Sequence, residues 1–235
     1  MLEIRDLSVS VGDKQILNKV DLFIGSGKKI ILMGPNGSGK STVCKSLMGD
    51  PAYTMTSGKV LLDGEDITKL PPNEKSKKGL FMIFQEPQDV EGLNSLRFVR
   101  AAYQKMMGSA SDFSQNLDSV VKKMNFDREI LSRNLNTTSS GGEKKKLEVL
   151  QMLLFRPKYA LVDEFDSGLD VDSLKSVSEL INGSDSGFLI VTHNPAVFKY
   201  LNVDQVNIIK NGRIEASGGK EMAAKIEKDG FVWMD

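Results

Sequence analysis

Within the nine residues Gly34-Pro35-Asn36-Gly37-Ser38-Gly39-Lys40-Ser41-Thr42, the first eight fit the pattern G-x-x-x-x-G-K-[ST]. They follow an apolar run, Lys29-Ile30-Ile31-Leu32-Met33, and precede helical spacing in Val43, Leu47 and Met48. Glycines let successive backbone N–H groups turn inward on a row of phosphates, so all nine are candidate phosphate-binding positions. Lys40 would reach the β- and γ-phosphates as a point charge, and the Ser41 hydroxyl would face Mg²⁺. A plain glycine-rich turn with a surface lysine would need neither the strand before it nor the helix after it.

A second apolar run, Tyr159-Ala160-Leu161-Val162, ends on the adjacent carboxylates Asp163 and Glu164. Neighbours on a strand point to opposite faces, so one can approach a metal while the other reaches elsewhere. Phosphoryl transfer needs charge compensation and a positioned nucleophile more than covalent help. That assigns Asp163 to the Mg²⁺ shell and Glu164 to polarising the attacking water. Gln85 ends residues 80–84 in the same manner, and its neutral amide can touch metal or water without changing the local charge; an ordinary strand-end glutamine is the plainer alternative. His193, the one histidine, follows Phe188-Leu189-Ile190-Val191 and Thr192, which places its imidazole to hydrogen-bond a γ-phosphate. Ser140-Gly141-Gly142 opens a Lys-rich helical stretch and forms a second anion site from backbone amides and a hydroxyl. One chain needs one phosphate cradle, so the second is read as closing over the nucleotide of another copy, head to tail. An N-cap serine with two flexible glycines is the simpler alternative.

These groups meet only if the right elements carry them. Residues 29–33, 80–84, 159–162 and 188–191 are short apolar runs that suit parallel strands buried on both faces. In open α/β sheets ligands gather outside the carboxyl ends of the strands, so Gly34, Gln85, Asp163 and Thr192-His193 are expected on one edge. Alternation in Leu2, Ile4, Leu7 and Val9, and again in Val20, Leu22 and Ile24, predicts an antiparallel pair joined near Gly12. Between Gln88 and Phe155 helical spacing replaces strand signals, as in Leu96, Val99, Tyr103 and Met106, with a polar breaker over 134–138. Lys210-Asn211-Gly212-Arg213 reads as a hairpin turn between 206–209 and 214–216. Lys144-Lys145-Lys146 falls on successive helix faces and is expected to be mostly solvated, Cys44 to pack as a small side chain, and Trp233 to pin the tail.

The chain has 235 residues, 40% of them hydrophobic, and its 31 basic side chains match 31 acidic ones. That suffices for a large core and provides no net field for nucleic acid or anionic lipid. No apolar stretch approaches the roughly 20 residues of a spanning helix, so no membrane insertion and a cytoplasmic location are expected. One cysteine and one histidine cannot build a self-contained iron–sulfur or thiolate zinc site.

On these motifs the chain resembles an ABC-type ATPase along nearly its full length: a Walker A motif at 34–42, a Q-loop at Gln85, a signature at 140–143, Walker B at 161–164, a D-loop at 167–170 and an H-loop at His193. The resemblance implies an α/β P-loop NTPase of the ABC ATPase fold, with a RecA-like core, an N-terminal antiparallel β part and an inserted helical subdomain. It implies a single domain over 1–235, with the core at 1–87 and 157–235 and the helical part at 88–156. It further implies Mg²⁺-dependent ATP hydrolysis and adds Asp170 to the nucleotide-binding set. Within that superfamily the chain is similar to the SufC family, the ATPase subunits of the Suf iron–sulfur cluster assembly machinery. The residues behind this are Phe84-Gln85, Pro87, Gly92-Leu93-Asn94, the run 140–146, the run 163–170 and Gly230-Phe231-Val232-Trp233. Glu143 stands where transporter cassettes usually carry glutamine. Ser139, Val11 and Lys146 depart from the usual bulky apolar residue, adenine-stacking aromatic and arginine. The SufC likeness implies SufB- and SufD-like scaffold partners docking around 85–98, and a transient ATP-dependent dimer with a second copy. The scaffold would then own the cluster ligands. The alternative is the nucleotide-binding subunit of an ABC transporter, which shares every one of these motifs.

Overall fold

The structure, a computed structural model, describes residues 1–137, 139–222 and 225. The paired alternating segments are strands β1 (Leu2–Val11) and β2 (Lys14–Ile24), antiparallel, with Val11 opposite Lys14 across the turn at Gly12. The apolar run before the glycine-rich loop is β3 (Lys29–Met33), buried at every position, and the loop feeds α1 (Lys40–Met48). Two further strands follow, β4 (Thr54–Leu62) and β5 (Glu65–Asp66), and then a short helix, α2 (Pro72–Lys77). Residues 54–77 carry no clean periodicity, and none of these three elements was legible before the structure.

After β6 (Leu80–Ile83) come the helices α3 (Ser95–Met107), α4 (Phe113–Met124), α5 (Glu129–Ser132) and α6 (Gly141–Phe155). The chain returns to the sheet with β7 (Tyr159–Asp163), crosses through α7 (Val171–Asn182) to β8 (Gly187–Val191), and ends its described strands with the hairpin β9 (Gln205–Lys210) and β10 (Arg213–Gly218). Asn211 and Gly212 both have positive φ, the conformation a tight hairpin turn demands.

Two sheets result, with strand orders β2-β1-β4-β5 and β10-β9-β3-β8-β7-β6. The four expected strands are parallel neighbours, and β9 joins them beside β3 as a fifth. Side chains alternate between the two faces of β3: Ile30 and Leu32 face a core shared with β1, β2 and α1, while Ile31 and Met33 face one shared with α6 and α7. A third cluster, including Val99, Leu117, Ile130 and Leu150, lies within the helical stretch. Trp233 and the tail around it fall outside the described residues, as does Thr138 in the breaker segment.

Helix α1 carries the glycine-rich loop on its amino end, and its carboxyl end is held by a buried cation. Lys75 of α2, only 1% exposed, donates to the Leu47 carbonyl at 2.8 Å. Burial pushes its pKa down to about 8. In the unfolded chain a lysine titrates near 10.4, so between these values the unfolded state binds the extra proton and stability rises with pH. The stability difference between the native chain and Lys75→Met is therefore expected to grow by roughly 2 kcal/mol in the native chain's favour from pH 7.5 to 9.5. Urea unfolding of both proteins at the two pH values checks this, and a difference that stays flat contradicts it.

Candidate functional site

The glycine-rich loop is shaped by close backbone approach. A Cβ on Gly34 would stand 2.1 Å from the Ile209 carbonyl oxygen, so only glycine fits where the loop passes β9. Gly39, at φ 107, turns the chain into α1 in a conformation side chains rarely adopt. The resulting loop borders a cleft lined by Asn36, Gly37, Lys40, Thr42, Glu164 and His193. Lys40 is 5% exposed, and its ammonium donates to the carbonyls of Gly34 and Pro35 at 2.8 and 2.9 Å, within its own loop. Burial lowers its pKa, against the opposing pull of Glu164 and Asp163.

The strand ends bring the remaining groups to that cleft. Ser41 Oγ donates to Asp163 Oδ1 at 3.0 Å, across 122 residues of sequence. Asp163 is fully buried and its Oδ2 has no hydrogen-bond partner; burial raises its pKa while the Ser41 hydroxyl opposes that shift. Glu164 turns away at φ 49, its N–H donating to the Val191 carbonyl at 3.0 Å. The two adjacent carboxylates thus point in different directions. Gln85 Nε2 donates to Glu164 Oε2 at 2.7 Å, and His193 Nδ1 lies 3.4 Å from Glu164 Oε1. The glutamate is 12% exposed and the imidazole 58%, so His193 forms the open rim of the cleft. Thr192, beneath it, donates to the buried Asp166 at 3.1 Å.

The segment Ser140-Gly141-Gly142 is not part of the lining of the cleft at the glycine-rich loop. Ser140 is the N-cap of α6 and takes part in a capping box: its hydroxyl accepts the Glu143 N–H at 3.3 Å, and Glu143 Oε2 accepts the Ser140 N–H at 2.7 Å. Arg133 donates to Glu143 Oε1 at 3.1 Å. The Ser140 N–H, then its hydroxyl and the Arg133 charge, hold the Glu143 carboxyl below its usual pKa. The Ser140 hydroxyl is thus engaged within the helix cap, while a Cβ on Gly141 would meet nothing within 4 Å. Gly141 shares a cleft with Gln85, Ser167 and Gly168, and Gln85 also lines the cleft at the glycine-rich loop. Asp170 likewise caps a helix, α7, accepting from the Ser173 N–H at 2.7 Å and its hydroxyl at 3.1 Å.

Some features escaped the residue pattern. Lys144-Lys145-Lys146 is not mostly solvated: Lys145 is 3% exposed, with its ammonium on the Phe84 carbonyl, and Lys144 reaches Asp89 at 2.5 Å. Helix α6 is buried around most of its circumference, so no polar face was left for three lysines. Tyr53, in the loop after α1, lines the same cleft beside Val11 and Ile16, with Lys45 Nζ 6.0 Å from its ring centroid. An aromatic shortly after the loop's helix was the available signal. Cys44 is fully buried in α1, and burial raises its pKa well above the ordinary thiol value.

Comparison with known proteins agrees with this geometry. The ABC transporter family model matches residues 17–167. A probable ABC transporter ATP-binding protein of Streptococcus pyogenes serotype M3 is 41% identical over 99% of this chain and 94% of its own length. Among solved structures, the ATP-binding subunit of an ABC transporter superposes with a TM-score of 0.85 at 24% identity, covering 100% of this chain and 99% of that one. A dimeric ATP-binding cassette in a post-hydrolysis state, with ADP and phosphate, gives 0.79 at 22% identity over 94% of this chain and 99% of its own. No described helix is long and apolar enough to cross a membrane. In motif, fold and full-length similarity alike, the chain belongs to the ATP-binding proteins of the ABC transporter family.

Proposed function

We propose that this chain hydrolyses ATP as the ATPase subunit of a Suf-type iron–sulfur cluster assembly complex, using transient head-to-tail dimerisation to remodel a SufB/SufD-like scaffold. The observation that carries the Suf reading is Glu143. Its carboxylate closes the α6 cap and also pairs with Arg133 at 3.1 Å. A glutamine could close the same cap and would leave Arg133 only the longer, exposed contact to Glu129 at 3.5 Å. The lone, buried Cys44 supports the same division of labour, with cluster ligands on the scaffold.

The orphaned Asp163 Oδ2 beside the Ser41 hydroxyl suits a divalent cation, and Ser41 and Asp163 would hold Mg²⁺, with Gln85 nearby. When bound, Mg²⁺ supplies charge compensation for the phosphates. The protein's own groups do the rest: the backbone N–H groups of the 34–42 loop and Lys40 bind the phosphates, Glu164 accepts a proton from the attacking water, Gln85 orients it, and His193 hydrogen-bonds the γ-phosphate. Ser140, Gly141, Gly142 and Asp170 would complete the site of a second copy. Residues 88–156 would act as a helical subdomain on the core of 1–87 and 157–235, in the cytoplasm.

The second reading is the nucleotide-binding subunit of an ABC transporter, favoured by the name of the streptococcal relative. Affinity capture of the tagged chain from its own cells, followed by mass spectrometry, separates the two. A soluble scaffold is the expected partner, and recovery of a membrane permease without one overturns the Suf reading.

A further inference from the structure

Strand β6 ends its sheet, with β7 as its one strand neighbour among the described residues. Just past it, both backbone polar groups of Phe84 are taken by side chains of α6. Glu148 Oε1 accepts the Phe84 N–H at 3.0 Å, and the Lys145 ammonium donates to the Phe84 carbonyl. The two side chains stand one turn apart on the helix, 3.8 Å from each other, and are 9% and 3% exposed respectively. A buried ion pair adds little net stability over a well-packed apolar pair, and Leu147, Val149 and Leu150 around it show that this helix packs apolar residues. An apolar pair, however, would leave both backbone groups of Phe84 unpaired.

The Phe84 ring itself is 44% exposed, so the residue is anchored chiefly by its backbone. Gln85 follows directly, and its amide meets Glu164 at 2.7 Å. Further ties continue along the same segment: Asn136 Nδ2 donates to the Gln88 carbonyl at 2.8 Å, and the Val90 N–H to the Leu135 carbonyl at 3.0 Å. All of them lead to the segment that opens α6 at Ser140.

We propose that Glu148, together with Lys145, is a positioning residue for hydrolysis: by clasping Phe84 it sets where the Gln85 amide meets Glu164, and it ties that amide to the helix whose tip carries Ser140-Gly141-Gly142. The inference rests on the roles given above to Gln85 and Glu164. Its nearest competitor is a tie that merely stabilises the fold.

The test uses the full chain, with ATP affinity, steady-state turnover and urea unfolding measured for Glu148→Leu, Glu148→Gln, Gln85→Ala and the double variant Gln85→Ala/Glu148→Leu. Glu148→Leu is expected to bind ATP within about threefold of the native chain and to lose about 10- to 100-fold in kcat. Glu148→Gln, which keeps an acceptor for the Phe84 N–H, is expected to regain most of that loss. The double variant is expected to be no slower than Gln85→Ala, because both changes act through one amide. Native kcat in Glu148→Leu, or losses that multiply in the double variant, would overturn the proposal. Should Glu148→Leu fail to fold, Glu148→Asp replaces it in the same cycle, with a shorter arm and the charge retained. Native turnover in Gln85→Ala would instead overturn the role given to Gln85, whereas a slow Gln85→Ala beside an unaffected Glu148→Leu overturns the clasp alone.

Discussion

Glu164→Gln is expected to slow ATP hydrolysis by about 10²- to 10⁴-fold while leaving ATP affinity within about threefold. The amide is nearly the size of the carboxylate and still offers an oxygen to Gln85, whose bond to Glu164 is 2.7 Å in the native chain. What it lacks is the basicity to take a proton from water. The phosphate-binding loop and the Ser41–Asp163 contact lie outside the change, so binding survives. With ATP bound and not consumed, two copies should stay paired, and the variant should elute as a dimer in ATP and as a monomer without it. Turnover at the native rate would remove Glu164 from the reaction, and an ATP-independent elution position would remove the head-to-tail dimer.

Lys40→Ala has the larger effect on binding. The ammonium already sits within the loop, on the carbonyls of Gly34 and Pro35, and would exchange those contacts for phosphate oxygens. Charge-assisted bonds are worth about 1.5–3 kcal/mol each, so losing two phosphate contacts should weaken ATP binding roughly 10²- to 10⁴-fold. The same truncation leaves two loop carbonyls without their donor, which costs about 1–3 kcal/mol of fold stability. Calorimetric titration with ATP, beside a urea unfolding curve, separates the two losses. Affinity within threefold of the native value, in a variant shown to be folded, would show that the loop binds through its amides alone.

How much of this could be read from residue order follows physical lines. Strands β3, β6, β7 and β8 were legible because each is a short, nearly continuous apolar run, buried throughout in β3, β7 and β8 and half-buried only at Phe81 in β6. The hairpin at Asn211-Gly212 was legible because its turn demands positive φ. Strand β4 was not: its Ser57-Gly58 interrupts the alternation, and it pairs with β1 through register shifts some fifty residues away in sequence. The place of β9 beside β3 is likewise set by long-range pairing that local pattern does not encode.

The candidate site divides in the same way. The carboxyl edge of the sheet brings Ser41, at the start of α1, to Asp163, and Gln85 to Glu164, where the strand pattern led them to be expected. Groups on α6 were harder to place, because a helix buried around most of its surface shows no periodic polar face. That is why Lys145 and Glu148, charged and buried, gave no advance sign of meeting Phe84.

Cys44 is sealed in α1, and burial, reinforced by the Asp163 charge, keeps it protonated. A protonated, inaccessible sulfur neither captures soft metal ions nor attacks activated sulfur donors. On the proposed Suf role, a motor built this way would work beside nascent clusters as an inert bystander, immune to poisoning by them.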